Sequence, residues 1–461
     1  MTTKCVFFVV FCVLTAVFGC GGADDITVNP VDPSGPPANQ LIPTASSTPT
    51  SPPTARPAPL EPGVKEGPKP PTVSVPADKA EPKGCTAKVN GASVGGRRTL
   101  AASPDGFLTL EYENSTPRVR WWDRNGKPNP SAYLLPNSMG EDEILSGSPH
   151  GFLVHSRISN GSAANLYRFD GKGAFVHGEK SPVNWAGYLS VLVNGGTEVL
   201  WNTERKFESE KTGGKTFFTI APVSPAGQAG ALKPVLTIAD ALYQYGVGAS
   251  ALNGDRIAFE MGKSAWVVPL TEQGEKTEPF STDLTILDTG TGGTTTSTLD
   301  SGIKTVKDGV PNLNSFVINT VATKSGFLVL WARIKNPIKN PGNPGFESYR
   351  FITEVNITGK VGPTYEVANW TMSMIPIGPD RIATLVVNQG FTSLTLVILD
   401  QKFQPVQKVL LTELTAGQNS IYPLPGFGFA ASGEDHIAVS WVQHGKNATA
   451  FGPRLAFVAC E

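Results

Sequence analysis

The 461-residue chain carries 38 lysines and arginines against 39 aspartates and glutamates. This balance excludes the basic excess that nucleic-acid binding requires, and the doublet Arg97-Arg98 is too small to supply a basic patch. The 39 prolines and 49 glycines mark turns and tethers rather than long helices. In chain order, Lys4 precedes an apolar run from Cys5 to Phe18, shorter than the roughly 20 residues a membrane-spanning helix needs. That combination is the outline of an export signal.

Val17-Phe18-Gly19-Cys20 follows the run and places a small residue directly before a cysteine. It resembles the lipobox of bacterial lipoprotein signal peptides, with Val17 and Phe18 departing from the commoner residues at those positions. The resemblance implies lipidation of the Cys20 thiol and cleavage before it, making residues 1–19 the signal peptide. Gly21, where inner-membrane lipoproteins of enteric bacteria carry aspartate, favours the outer membrane by the same resemblance. The alternative is an ordinary secretory signal that leaves Cys20 a free thiol. Residues 20–83 are dominated by Pro, Thr, Ser and Ala, as in Pro43 to Pro59, and cannot build a core. They read as a disordered, lipidated tether that spaces the folded part from the bilayer.

Cys5 and Cys12 depart with the signal and Cys20 takes the lipid, so Cys85 and Cys460 remain as a pair. An oxidising compartment would join them, fastening the two ends of residues 84–461. Two reduced, buried thiols are the alternative.

Residues 84–461 consist of short apolar runs between Gly, Asn and Asp turns, including Phe107–Tyr112, Tyr188–Val193, Arg381–Val387 and Leu394–Leu399. Seven turn-and-strand anchors recur: Asp105-Gly-Phe-Leu108, Gly151-Phe-Leu-Val154, Gly187-Tyr-Leu189, Gly254-Asp-Arg-Ile257, Gly326-Phe-Leu-Val329, Asp380-Arg-Ile-Ala383 and Asp435-His-Ile-Ala438. Several are followed by a second strand and turn, as at Asp123-Arg-Asn-Gly126, Asp170-Gly-Lys-Gly173, Thr358-Gly-Lys360 and Asp400-Gln-Lys402. Seven units average about 54 residues, near the 40–50 of propeller repeats. The expected fold is all-β, a seven-bladed β-propeller closed by the Cys85–Cys460 disulfide. Two β-sandwiches are the alternative, and the spacings around Gly254 leave room for one more unit.

Leu287-Asp-Thr-Gly-Thr-Gly-Gly293 is similar to the turn of quinoprotein-like propellers, a family that includes an outer-membrane assembly scaffold. The aromatic docking motif of those repeats is absent, so no pyrroloquinoline is implied and no cofactor is expected. Ile286 to Thr291 also matches an aspartic protease signature, with Asp300-Ser-Gly302 nearby. Aspartates of a protease dyad come from separate lobes, and a hairpin explains both segments. Gly91-Ala-Ser-Val-Gly95 has the nucleophile-elbow spacing without the helix that must follow. His150, His155, His177, His436 and His444 lack metal-ligand spacing, and Gly214-Lys-Thr216 and Gly262-Lys-Ser264 lack the upstream glycine of a phosphate loop.

Trp121, Trp122, Trp201, Trp266, Trp331 and Trp441 read as packing between blades, with sugar stacking as the alternative. Lys335 to Phe346, rich in Pro and Gly, is the candidate binding loop. The Asn-x-Ser/Thr sequons at Asn114, Asn160, Asn356, Asn369 and Asn447 carry meaning only in a eukaryotic setting. No catalytic or metal-binding residue stands out. The functional expectation is an envelope lipoprotein that binds protein or glycan partners without catalysis. Its alternatives are an enzyme working in the propeller's central channel and a surface protein without a specific ligand.

Overall fold

The computed structural model describes residues 84–90, 100–113, 116–136, 143–158, 163–183, 189–209, 213–240, 243–265, 275–307, 310–335, 347–388, 390–414, 419–422, 428–445 and 451–460. The signal peptide, Cys20, the tether and Gly91–Gly95 lie outside them. Every regular element among the described residues is a strand.

The strands form seven antiparallel sheets, each assembled from consecutive strands except the last. Blade 1 runs Leu100–Ser103, Gly106–Glu113, Thr116–Asp123 and Tyr133–Leu134; blade 2 runs Ile144–Ser148, Gly151–Arg157, Ala164–Phe169 and Phe175–Lys180. Blade 3 is Leu189–Asn194, Thr197–Ser209, Gly213–Val223 and Lys233–Asp240. Blade 4 is Tyr243–Asn253, Arg256–Ala265, Glu275–Asp288 and Thr294–Lys307, extended by Val310–Pro311. Blade 5 is Leu313–Ala322, Gly326–Lys335, Glu347–Asn356 and Val361–Val367; blade 6 is Thr371–Ile377, Arg381–Val387, Ser393–Leu399 and Pro405–Glu413. Blade 7 takes Asn419–Tyr422, Gly428–Ser432, His436–Gly445 and Phe451–Cys460 from the C-terminal end, and Cys85–Asn90 as its outer strand.

The innermost strand of each blade touches that of the next, from blade 1 round to blade 7 and back to blade 1. The chain is therefore a closed seven-bladed β-propeller, as the turn rhythm predicts. Six of the seven anchors fall in the hairpin between a blade's first and second strands. The third is displaced by one strand: it leads into Leu189–Asn194, the first strand of blade 3, whose hairpin turn is Gly195-Gly196. The long spacings around Gly254 hold no extra blade. They are taken up by long strands, 14 residues each in Glu275–Asp288 and Thr294–Lys307.

Burial follows radial position, because inner strands are covered on both faces by adjacent blades and outer strands on one at most. Phe152 to Ser156 of blade 2's second strand are all buried, whereas its outer strand leaves Phe175 45% and Val176 50% exposed. Second strands therefore read as unbroken apolar runs, the pattern of strands covered on both sides. Trp201, Trp331 and Trp441, all on second strands, are at most 1% exposed and fill the space between blades.

The turns between third and fourth strands repeat one design. In blades 1, 2, 3, 5 and 6 the first turn residue accepts a bond from the backbone N–H four positions on, with Asp123, Asp170, Ser224, Asn356 and Asp400 as acceptors at 2.8–3.1 Å. The fourth residue takes a left-handed backbone, which glycine adopts without steric cost: Gly126, Gly173, Gly227 and Gly359. Blade 6 uses Phe403 instead, at φ +58°, buried against Tyr365 of blade 5. The glycines also admit the neighbouring blade, since a Cβ on Gly126 would sit 2.3 Å from the Phe457 ring. Gly126→Ala is expected to destabilise the domain by at least about 1–2 kcal/mol from its φ of +76° alone, read as a shifted urea midpoint.

Closure of the ring is where the cysteines matter. Cys85 and Cys460 stand directly opposite one another at one end of a six-pair antiparallel ladder, joined by a disulfide across 375 positions of sequence. Around them, Phe457 packs against Phe107 and Trp122 of blade 1 at 5.6 and 5.3 Å. Ser432 donates to the Ser103 carbonyl at 2.7 Å, adding a polar tie across the same seam.

Candidate functional site

A propeller has three places for function: the channel lined by its inner strands, and its two ends. Here one end is built from the first-to-second and third-to-fourth strand hairpins, all among the described residues. The other end is built from the remaining connections, many of which lie outside them, including residues 336–346 of the candidate binding loop.

The innermost strands read LAAS, ILSGS, LSVLVN, YQYGVGASALN, LNSFVINTVA, TMSMIPI and, in blade 7, NSIY with GFAAS. None contains Asp, Glu, His, Lys or Arg. General acid–base chemistry most often uses His, Asp, Glu or Lys, and the described innermost strands carry none of these; their ionisable residues are Tyr243, Tyr245 and Tyr422.

The hairpin end is a ring of contacts between blades. His150 Nε2 lies 3.2 Å from the Gly196 carbonyl, joining blades 2 and 3. Asn253 donates to the carbonyls of Thr323 and Gly326, both at 2.9 Å, joining blades 4 and 5. Arg381 donates to the Glu434 carbonyl at 2.9 Å, joining blades 6 and 7. These bonds tie neighbouring blades together at this end.

The histidines are dispersed: His177 faces Glu179 at 3.3 Å, His436 faces Asp435 at 2.8 Å, and His444 is the penultimate residue of a blade 7 strand. Among the described residues no three His, Cys, Asp or Glu side chains gather as metal ligands. The two aspartates of the protease-like segment are separated. Asp288 caps its own hairpin, accepting from Gly290 and Thr291 at 2.8 and 2.9 Å, and pairs with Arg256. Asp300 sits further along the next strand, opposite Thr282, and pairs with Arg333 of blade 5 at 2.9 Å. Each carboxylate has its own cation, so they do not share a proton.

One serine–histidine pair does form, undetected in the sequence because 26 positions separate its members: His155 Nε2 lies 2.9 Å from Ser181 Oγ. Both residues are buried, at 0% and 4% exposure. Burial also lowers the His155 pKa to about 4. Glu260 of blade 4 is its counterpart. It accepts from the Val317 N–H of blade 5 at 3.1 Å, and burial raises its pKa to about 7.

These two groups oppose each other in pH. The depressed His155 pKa contributes stability that is present above about 6.5 and lost as pH falls towards 4. The raised Glu260 pKa contributes stability that is present below about 4.5 and lost as pH rises through 7. Each is worth roughly 3 kcal/mol across nearly the same window. The two contributions are expected to offset one another between pH 4.5 and 6.5, so that relative to wild type the stability of Glu260→Gln rises and that of His155→Gln falls with pH over that range in denaturant titrations.

Charge pairs join further blades. Arg168 on the third strand of blade 2 forms a two-pronged ion pair with Glu198 on the second strand of blade 3, with the Nη1–Oε1 contact at 3.0 Å. Both side chains are at most 1% exposed.

Between blades 5 and 6, at the end opposite the hairpins, lies a group of a different kind. Trp370 precedes the first strand of blade 6, and Phe391 lies between its second and third. Both are non-glycine residues in the left-handed region, at φ +66° and +53°. Their rings meet edge to face at 5.2 Å, and the Arg350 guanidinium of blade 5 lies 5.7 Å from the Trp370 ring centre. No sequence motif marks these three residues, which come from separate strands and turns.

The geometry defines a seven-bladed β-propeller whose described channel strands are uncharged. No family model and no curated protein matches the chain. Solved structures do resemble it. The propeller domain of the trilobed protease from Pyrococcus furiosus, which has an open velcro topology, is 10% identical, covering 82% of this chain and 94% of its own with a TM-score of 0.42. Hydrazine synthase from Kuenenia stuttgartiensis is 11% identical over 78% of this chain and 96% of its own, with a TM-score of 0.41. The WD40 domain of SCAP from fission yeast is 10% identical over 81% of this chain and 98% of its own, with a TM-score of 0.35.

Proposed function

We propose that the protein is a cell-envelope lipoprotein, anchored in a bacterial membrane through Cys20, whose propeller binds protein or glycan partners without chemically changing them. The non-catalytic part of this reading is carried by one observation: among the described residues, no innermost strand contains an acidic, basic or histidine side chain. The only Ser–His pair among the described contacts is sealed between strands, and the aspartates of the protease-like segment are committed to separate arginines.

Export and anchoring are supported by the apolar signal, the Val17-Phe18-Gly19-Cys20 sequence and the disulfide, which belongs to an oxidising compartment. The outer membrane is the favoured address, from Gly21. The tether then holds a rigid ring at a distance from the bilayer, a suitable arrangement for a scaffold that must reach its partners.

The test is to incubate the purified oxidised protein with envelope glycans and extracted envelope proteins and follow both retention and product mass. Ligand retained at unchanged mass supports the reading. Shortened, unsaturated or deacylated products would overturn it in favour of an enzyme.

A further inference from the structure

Arg350 is 3% exposed, and its neighbours do not neutralise it. Nε donates to the Thr371 carbonyl at 3.3 Å, and Nη1 donates to the Tyr349 carbonyl at 3.3 Å and to the Ser348 hydroxyl. All three acceptors are neutral, and among the described residues no acceptor meets Nη2. Burial alone pushes the Arg350 pKa down to about 10, without a contribution from any carboxylate. The other deeply buried arginine, Arg168, shows the contrast, with a carboxylate on its guanidinium. A buried charge left uncompensated is costly, and a ligand anion would offset that cost.

The walls of the site are also held away from their preferred backbone. Left-handed conformations cost non-glycine residues about 1–2 kcal/mol each. Trp370 and Phe391 keep them because their carbonyls accept from Val387 and Ile421 at 3.2 and 2.6 Å. The two half-buried rings therefore stand beside the guanidinium in fixed orientation.

Resting on the binding reading above, we infer that Arg350, Trp370 and Phe391 form a subsite for the carboxylate of an acidic sugar. A uronate presents a carboxylate beside a flat face of C–H groups. Nη2 donates to the carboxylate, and the rings contact the sugar face. The pairing of one charged donor with two aromatic walls favours this chemistry over a free inorganic anion, which would leave the rings without a role.

Calorimetry with trigalacturonate, its neutral methyl ester and an acidic peptide, on the full-length protein, tests the assignment. Wild type is expected to bind the acid roughly 10- to 100-fold more tightly than the ester, the worth of a charge-assisted hydrogen bond. Arg350→Met is expected to lose that preference with unchanged near-ultraviolet dichroism. Should Arg350→Met fail to fold, Trp370→Gly relieves the backbone strain and is expected to weaken binding about ten-fold through the lost ring. Equal binding of acid and ester, no binding of either, or unchanged affinity in the variant that folds overturns the subsite. Preference for the acidic peptide overturns the sugar assignment. Retention of another envelope ligand by Arg350→Met would then leave the broader binding function standing.

Discussion

Cys460→Ser is expected to lower the unfolding free energy of the propeller by about 5 kcal/mol, because the bridge it removes closes a loop spanning 375 positions. The loop-closure entropy withheld from the unfolded chain grows slowly with length, and this loop takes in nearly the whole domain. Once the bridge is absent, the outer strand of blade 7 is held by its ladder with Phe451–Cys460 and by packing against Pro405–Glu413 of blade 6. Urea unfolding of oxidised wild type and of the variant measures the difference. Cys85→Ser should match Cys460→Ser, and the double variant should cost no more than either, since one bond is lost in every case. A loss below about 1 kcal/mol would mean that strand pairing and the Phe457 packing close the ring by themselves.

The second large effect is Glu198→Gln, expected to cost about 3–5 kcal/mol. The substitution preserves shape but leaves Arg168 as an unpaired cation between blades 2 and 3, where both side chains are at most 1% exposed. The guanidinium cannot swing out to water, because its Cβ lies against the Gly227 turn and Nη2 also donates to the Ser224 carbonyl at 3.2 Å. An Arg168→Met, Glu198→Leu double variant removes both charges and should be more stable than either single variant. Thermal unfolding of the four proteins gives the coupling. A double variant that loses the sum of the single losses would show that the pair acts only as two packing groups.

The fold was legible because the propeller writes its period in turn chemistry. Asp123, Asp170 and Asp400 recur at the same place in successive blades, and the cysteines mark the seam, so counting hairpins nearly suffices. Blade 3 departs from the rhythm: its hairpin is Asn194-Gly195-Gly196, inside an apolar stretch, whereas the glycine that fits the spacing, Gly187, precedes the first strand. Leu192 and Val193 continue the apolar run on the wrong side of that turn.

The interior polar groups were not legible. Arg168 reads as an ordinary strand residue until blade 3 brings Glu198 to it, and His155 stays unremarkable without Ser181. Trp370 follows a sequon asparagine and resembles a surface aromatic. Its meaning depends on Arg350, which hydrogen-bonds to the residue beside it from the previous blade. Contacts between blades depend on how strands stack, and a repeat pattern within each blade does not encode them. Composition alone marks Lys335–Phe346 as a candidate loop, and residues 336–346 lie outside the described residues.

On the proposed reading, a lipid anchor at Cys20 and a closed ring would together account for the three cysteines beyond residues 1–19. Cys20 would place the protein at a membrane, and the other two make its folded part a covalently closed body. A closed ring resists partial unfolding from its ends. The uncharged inner strands leave recognition to the ends of the blades.

Intact mass and membrane fractionation of the full-length protein and its Cys20→Ala variant, expressed in a Gram-negative host, test this account most directly. The account predicts that wild type sediments with membranes, begins at Cys20 and carries added acyl mass, while the variant loses both the acyl mass and the membrane. Two soluble proteins of equal mass, cut at some other position, would contradict it and make the propeller a freely secreted protein.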